Sequence, residues 1–134
     1  MFEFHGWITI RVKENDCEST DATRSREDQA IEQVQAAISQ ASDDFSFFDV
    51  RRTSNCMIVL MAHGLRNHRY QPVIELFEQI GRILPDSYGL LYVHDDEQKG
   101  RDNEFRVWRL ALGLVTEHDD PFLSPYFPTV ELPI

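Results

Sequence analysis

Residues 2–13 read FEFHGWITIRVK. Phe2, Phe4, Ile8, Ile10 and Val12 share one parity; Glu3, His5, Trp7, Thr9, Arg11 and Lys13 share the other. A period of two sends successive side chains to opposite faces, so the stretch predicts a strand with one buried face. The second face carries an imidazole and an indole and is therefore not a purely wetted one. The rest of the chain must bury the first face, and something must account for the second.

Outward from this strand, ENDCESTD (residues 14–21) reads as a polar, acidic loop. Residues 21–41 place Ile31, Val34, Ile38 and Ala41 at helical spacing, with Asp21 or Thr20 as cap and the acids Glu27 and Asp28 early, where the helix dipole favours them. FSFFDVRRTS (45–54) and NCMIVLMAHG (55–64) predict two strands with a turn near Thr53 to Asn55. The second is a nearly continuous apolar run, as in a central strand. Cys56 falls in it and is expected to be a small buried hydrophobe. Residues 69–84 carry Val73, Ile74, Phe77, Ile80 and Leu84 as an apolar helical stripe, with Pro72 in the first turn and Pro85 as the stop. SYGLLYVHDDE (87–97) is a fourth strand, QKGRDN (98–103) a loop, and EFRVWRLALGLVTE (104–117) a fifth strand forming a hairpin with the fourth.

The expected fold class is α+β: an antiparallel five-stranded sheet, ferredoxin-like βαββαβ plus an extra C-terminal strand, with two helices on one face and a Pro-rich C-terminal tail. A chain of 134 residues fits a single domain, 1–134, with a sheet and helix core (1–118) and an extended Pro-rich tail (119–134) packing on it. In such a fold one sheet face lacks helices. His5 and Trp7 fall on that bare face, and Phe105 and Val107 facing the helices would add Arg106 and Trp108 to it. Tyr88, Tyr92 and His94 share one parity whose face the sequence leaves open. Aromatic side chains of roughly 150–250 Å² each are costly to leave wet. Either the tail, with Pro121, Pro125 and Pro128 keeping it extended, lies over them or a partner does.

Acids outnumber Lys and Arg by 23 to 13, a net charge of −10. That balance repels nucleic acid, whose binding requires phosphate neutralisation by cations, and suits a basic protein partner. No apolar run approaches the roughly 18 residues of a membrane span, and the first residues read as a strand and not as a signal peptide. Two cysteines in unrelated contexts predict no disulfide framework and agree with a reducing, cytoplasmic location.

Chemistry-bearing motifs are sparse. His5, His63, His68, His94 and His118 are scattered with no HExxH, HxH or CxxC spacing, so no metal and no cofactor is expected. No nucleophile–base pattern or phosphate loop is present, so no catalytic residue is assigned. His63, Arg66 and Asn67, after a strand, leave open an alternative: a small phosphate- or nucleotide-binding or hydrolytic domain on this topology. Acidic clusters sit in loops and at element ends: Glu14, Asp16, Glu18 and Asp21; Asp43 and Asp44; Asp95, Asp96 and Glu97; Glu117, Asp119 and Asp120. In a single hairpin the last two groups lie at opposite ends. Asp43, Asp44, Asp95, Asp96 and Glu97 are the candidate partner-binding residues, since variable loops are where partner specificity is placed.

The opening HGW (5–7) and the closing VWRLALGLVTEHDDPFLSPYFPTVE (107–131) resemble the immunity protein 7 family, nearly end to end. The shared positions are Gly6, Trp7, Trp108, Gly113, Asp120, Pro121, Leu123, Ser124 and Pro125, for which a structural role is expected. The resemblance implies a non-enzymatic immunity protein of a bacterial polymorphic toxin or contact-dependent growth inhibition system. Its partner would be a cognate toxin C-terminal domain, a basic and potentially nuclease domain neutralised in a tight 1:1 complex. The free protein is expected to be a monomer or weak homodimer, the latter by strand addition through the tail.

Overall fold

The computed structural model describes residues 1–12 and 21–134. The elements in chain order are β1 (Phe2–Ile10), α1 (Asp21–Ala41), β2 (Ser46–Arg52), β3 (Ile58–Arg66), α2 (Gln71–Ile83), β4 (Tyr88–Asp95), β5 (Phe105–Ala111), β6 (Leu114–Asp119) and the short α3 (Tyr126–Thr129). Among the described residues the strands form one sheet, ordered β2-β3-β1-β4-β5-β6, with every neighbour antiparallel. The loop at 14–20, with Cys17, Glu14, Asp16, Glu18 and the candidate cap Thr20, lies outside the described residues.

Strand β1 pairs on both sides, Ile8 standing opposite Leu60 of β3 and Gly89 of β4. Its even-numbered residues form the floor of the core: Phe2, Phe4 and Ile8 are fully buried. Helix α1 meets them with Ala30, Val34, Ala37 and Ala41, and α2 with Val73, Ile74, Leu76, Phe77 and Ile80. The stripe expected on α2 is thus the packed one, with Leu84 at its margin. On α1 the contact face is mostly alanine, with Ile31 and Ile38 only partly buried at its sides. At Gly89 a Cβ atom would stand 2.0 Å from the Trp7 carbonyl oxygen, so no larger residue lets β4 lie against β1 as it does.

The sheet has six strands and not the expected five. The segment 104–117, read as one strand, folds back on itself at Leu112 and Gly113, which have φ of 53° and 76°. Ala111 and Leu114 pair across that two-residue connection. Two consecutive positive φ values belong to the tight hairpin whose twist matches antiparallel strands. Glycine reaches this conformation freely and leucine does not. A Leu-Gly pair inside an apolar alternation lacks the usual Asn-Gly signature, so no local signal marks the turn. Gly113 belongs to the turn and not to a strand.

The fifth strand also faces the other way. Trp108 stands opposite Leu91 and is 6% exposed, inside the core; Phe105 and Val107 lie on the opposite face. The sequence FRVWRL offers an apolar pair on each parity, so alternation alone did not choose. Arg106 goes inward with Trp108 and is buried against Glu117 (3.0 Å) and Asp119 of β6. Cys56 is likewise displaced from its expected place: it sits in the turn before β3, exposed, with φ 59°, and is disulfide-bonded. The disulfide corrects the expectation of none.

The hairpin at Leu112 yields a stability test. Leu112→Asn should raise unfolding free energy by about 0.5–1 kcal/mol, because asparagine tolerates the left-handed region. Gly113→Ala should lower it by about 1 kcal/mol or more. Urea unfolding followed by circular dichroism measures both, and equal stability of the three proteins would contradict the turn.

Candidate functional site

The outer sheet face, opposite the helices, is where side chains lack a cover among the described residues. Cross-strand pairing sets one row across it as Phe47, His63, His5, Tyr92, Val107 and His118. The next row is Asp49, Met61, Trp7, Leu90, Arg109 and Thr116.

One corner of this face is covered by the chain's own C-terminal segment. The Tyr126 ring stacks on His94 with centroids 3.8 Å apart and an interplanar angle of 9°, and meets Phe105 edge-on at 5.3 Å. Its hydroxyl donates to Glu3 Oε2 at 2.8 Å. Asn103 holds the backbone there, its Oδ1 accepting from Phe127 N at 2.8 Å and its Nδ2 donating to the Phe127 carbonyl at 3.0 Å. Ser124 Oγ accepts from Phe105 N at 3.0 Å. Asp120 is buried and accepts from Phe122 N at 3.1 Å through Oδ1, closing a side-chain turn over Pro121. Leu123 is half exposed, and the Ser124–Pro125 peptide is cis.

Nothing among the described residues covers the other half of the face. Trp7 is 39% exposed, Met61 49%, Leu65 60%, Phe45 67% and Phe47 72%. These residues belong to β1, β3, β2 and the approach to β2, which are neighbours. Isolated exposed apolar residues need no explanation, whereas a contiguous group marks an interaction surface. In its midst His5 and His63, direct cross-strand partners, bring their Nδ1 atoms within 3.1 Å. His5 Nε2 lies 2.9 Å from Glu3 Oε1. Glu3 thus joins the imidazole pair to Tyr126. Burial pushes the Glu3 carboxyl up, but hydrogen bonds from His5 and Tyr126 outweigh it, and its pKa falls below the ordinary value. Burial, and then the neighbouring His5, hold His63 below the usual imidazole value. The hydrogen bond to Glu3, aided by burial, pushes the Tyr126 phenol up to about 12. The His5–His63 pairing was missed in the sequence, because two histidines 58 residues apart show no spacing motif.

The candidate acids all lie at one end of the sheet, where β1 begins and β3 and β4 end. Phe2 stands opposite both Arg66 and Asp95. Asp43 pairs with Arg66, Asp96 with the N-terminal amine, Glu97 with His68 (2.6 Å), and buried Asp95 with Arg69 (3.6 Å). Asp44 is exposed beside them. The second acid group joins this end. Because β6 returns antiparallel to β5, Asp119 stands opposite Arg106 near the start of β5. There Arg101, from the loop after β4, reaches it at 2.6 Å. The expectation that the 95–97 and 117–120 acids lie at opposite ends is therefore corrected by the hairpin. Hydrogen bonds from Arg106 and Arg101 hold the Asp119 carboxyl below its ordinary value.

The ligand-binding alternative finds its residues divided. His63 lies on the outer face, whereas Arg66 has the opposite parity and is bound to Asp43, with its guanidinium 3.9 Å from the Tyr70 ring centroid. A cavity of about 390 Å³ lined by Phe45, Leu65, Arg66, Asn67, His68 and Arg69 opens at this end, but the Arg66 charge is already compensated. Among the described residues no group of three or more His, Cys, Asp or Glu is placed to hold a metal ion. No helix among them is long and apolar enough to cross a membrane.

A protein-family model described as Immunity protein 7 matches residues 1–132. No curated protein and no solved structure matches the chain.

The Tyr126–Glu3 bond has a pH signature. A phenol whose folded-state pKa is raised stabilises fully below its unfolded value near 10, and that contribution is lost as pH rises through about 12. Wild-type stability should thus fall between about pH 10 and 12, and Tyr126→Phe should lack that part of the fall. Thermal unfolding across this range, read by circular dichroism, provides the comparison; identical profiles would remove the bond.

Proposed function

The chain belongs to the immunity protein 7 family, and from that premise we propose that it binds the toxin domain encoded beside it and holds it inactive in a one-to-one complex. Family membership implies a cognate toxin as partner and a binding role without turnover. The match over residues 1–132 is the single observation that carries this reading. We further propose that the toxin is a basic domain, of which a nuclease is the expected class, and that the system is one of contact-dependent growth inhibition.

The net charge of −10 supports a basic target. Internal ion pairs at the strand-end rim do not alter that sum, so the long-range field persists while local geometry is locked. We assign Asp43, Asp44, Asp95, Asp96 and Glu97 to encounter and orientation: such charges raise association rate more than they add contact energy. The first four strands with α1 and α2 are read as a ferredoxin-like unit. Residues 119–134, expected as an extended tail, contain the end of β6 and the short α3, and are read as the segment that closes one corner of its outer face. Action is assigned to the cytoplasm of the producing cell; the disulfide at Cys56 would instead suit an oxidising compartment. The phosphate-binding alternative is not favoured, since the anion-binding residues it needs are divided between two faces.

Asp44→Lys with Asp96→Lys should slow association with the neighbouring gene's toxin domain by about tenfold at low salt and flatten its salt dependence. Stopped-flow mixing at several salt concentrations measures this, and light scattering of the complex gives its stoichiometry. Association rates indifferent to both salt and charge reversal would exclude steering.

A further inference from the structure

We propose that the open half of the outer sheet face, centred on Trp7, Met61 and the His5–His63 pair, is the surface that docks the toxin, and that docking is linked to protonation of that pair. This rests on the reading of the chain as a toxin-binding immunity protein and goes beyond it by naming the surface and its regulation.

Of the acids that attract a basic partner, Asp43, Asp95, Asp96 and Glu97 are already paired at the rim, so they offer little short-range contact. The open face offers the opposite: Phe47, Met61, Leu65 and Trp7 are exposed apolar side chains with no cover from the described chain. The covered corner shows what a complement looks like, since Tyr126 there supplies one aromatic ring and one hydroxyl to His94, Phe105 and Glu3. Charge selects the occupant. A second copy of this chain would bring another charge of −10 and its own acidic rim against the first. A basic toxin domain presenting an apolar centre bordered by Lys or Arg meets apolar face and acidic rim together. Aromatic and methionine side chains of this kind are those enriched at the centre of protein interfaces.

The imidazole pair sits inside this surface. Two Nδ1 atoms 3.1 Å apart need one proton between them, one nitrogen donating and the other accepting. One added proton is accommodated, because His5 donates through Nε2 to Glu3 and through Nδ1 to a neutral His63. A second proton sets two N–H groups head to head and leaves two adjacent charges. The charged and titratable groups around the pair are Glu3, the Asp49–Arg51 ion pair on β2, Tyr92 and His94 on β4, and Tyr126. Glu3 is the one that bonds an imidazole of the pair, and it is already shared with Tyr126. Covering the pair with an apolar partner removes the water that would solvate the second charge. His63, whose pKa lies below the usual 6.5, therefore stays neutral in the complex, and acidification below that value weakens binding.

The test uses the full chain and the toxin domain encoded by the adjacent gene, with affinity measured by calorimetry at about pH 7.5 and about pH 5. Wild-type binding at the higher pH establishes the functional reading itself; its absence would overturn that reading before the face is tested. Given binding, Met61→Asp and Trp7→Ala should each weaken it by about 30-fold or more, the size of an interface hot spot. Unfolding curves must show both variants folded. Wild-type affinity should fall at the lower pH by about tenfold per unit once His63 takes a proton in the free protein, and His63→Gln should abolish most of that fall. His5→Gln serves as an independent second variant. Binding within about twofold of wild type for folded Met61→Asp would overturn the surface. So would a Met61→Asp protein that loses self-association while retaining the toxin. A pH dependence unchanged in both histidine variants would overturn the linkage.

Discussion

Strand β1 hydrogen-bonds to β3 on one side and to β4 on the other, and the rest of the architecture depends on that double pairing. A central strand leaves neither edge free, so its parity propagates to every neighbour through register. Phe2, Phe4 and Ile8 must go to the helical side, because water would be in contact with two phenyl rings otherwise. Once they do, His5 and Trp7 are obliged to face outward, and through Tyr92 and Leu90 they set the parity of β4 and then of β5. A slip of one residue in any of these pairings would exchange the core for the surface. The close approach at Gly89, where a Cβ would meet the Trp7 carbonyl at 2.0 Å, is one place where the backbone enforces that register.

Charge and contact are separated in space. At the end of the sheet Asp43, Asp95, Asp96 and Asp119 are tied to Arg66, Arg69, the N-terminal amine, Arg101 and Arg106, and those pairs fix loop geometry more than they add stability. The excess of acids over bases is a property of the whole chain and acts at a distance. The apolar outer face acts only on contact. In the complex proposed above, the first would serve encounter and the second residence.

The clearest periods are those of α2 and β1, with Val73, Phe77 and Ile80 at helical spacing and Phe2, Phe4, Ile8 and Ile10 at alternate positions; β3 is legible as a continuous apolar run and not by alternation. The errors cluster at 104–117. There the apolar residues fall on both parities, and the turn uses a leucine in a conformation leucine disfavours, so no local preference marks either the facing or the fold-back. Cys56 is a second such place, because the apolar run begins at Cys56, two residues before β3 starts at Ile58. The candidate acids were found as residues, and their partners were not, since Asp43 with Arg66 and Glu97 with His68 are brought together only by the sheet. The imidazole pair was invisible for that reason as well.

By itself, the sequence determined the periodicities, the excess negative charge and the family to which the chain belongs, because each is a property of residue order or residue count. The tertiary structure alone decided which acids are already paired, which aromatic face is left uncovered by the described residues and that His5 meets His63. Those are consequences of register across strands distant in the chain, and register is set by the sum of many pairings that no short stretch contains.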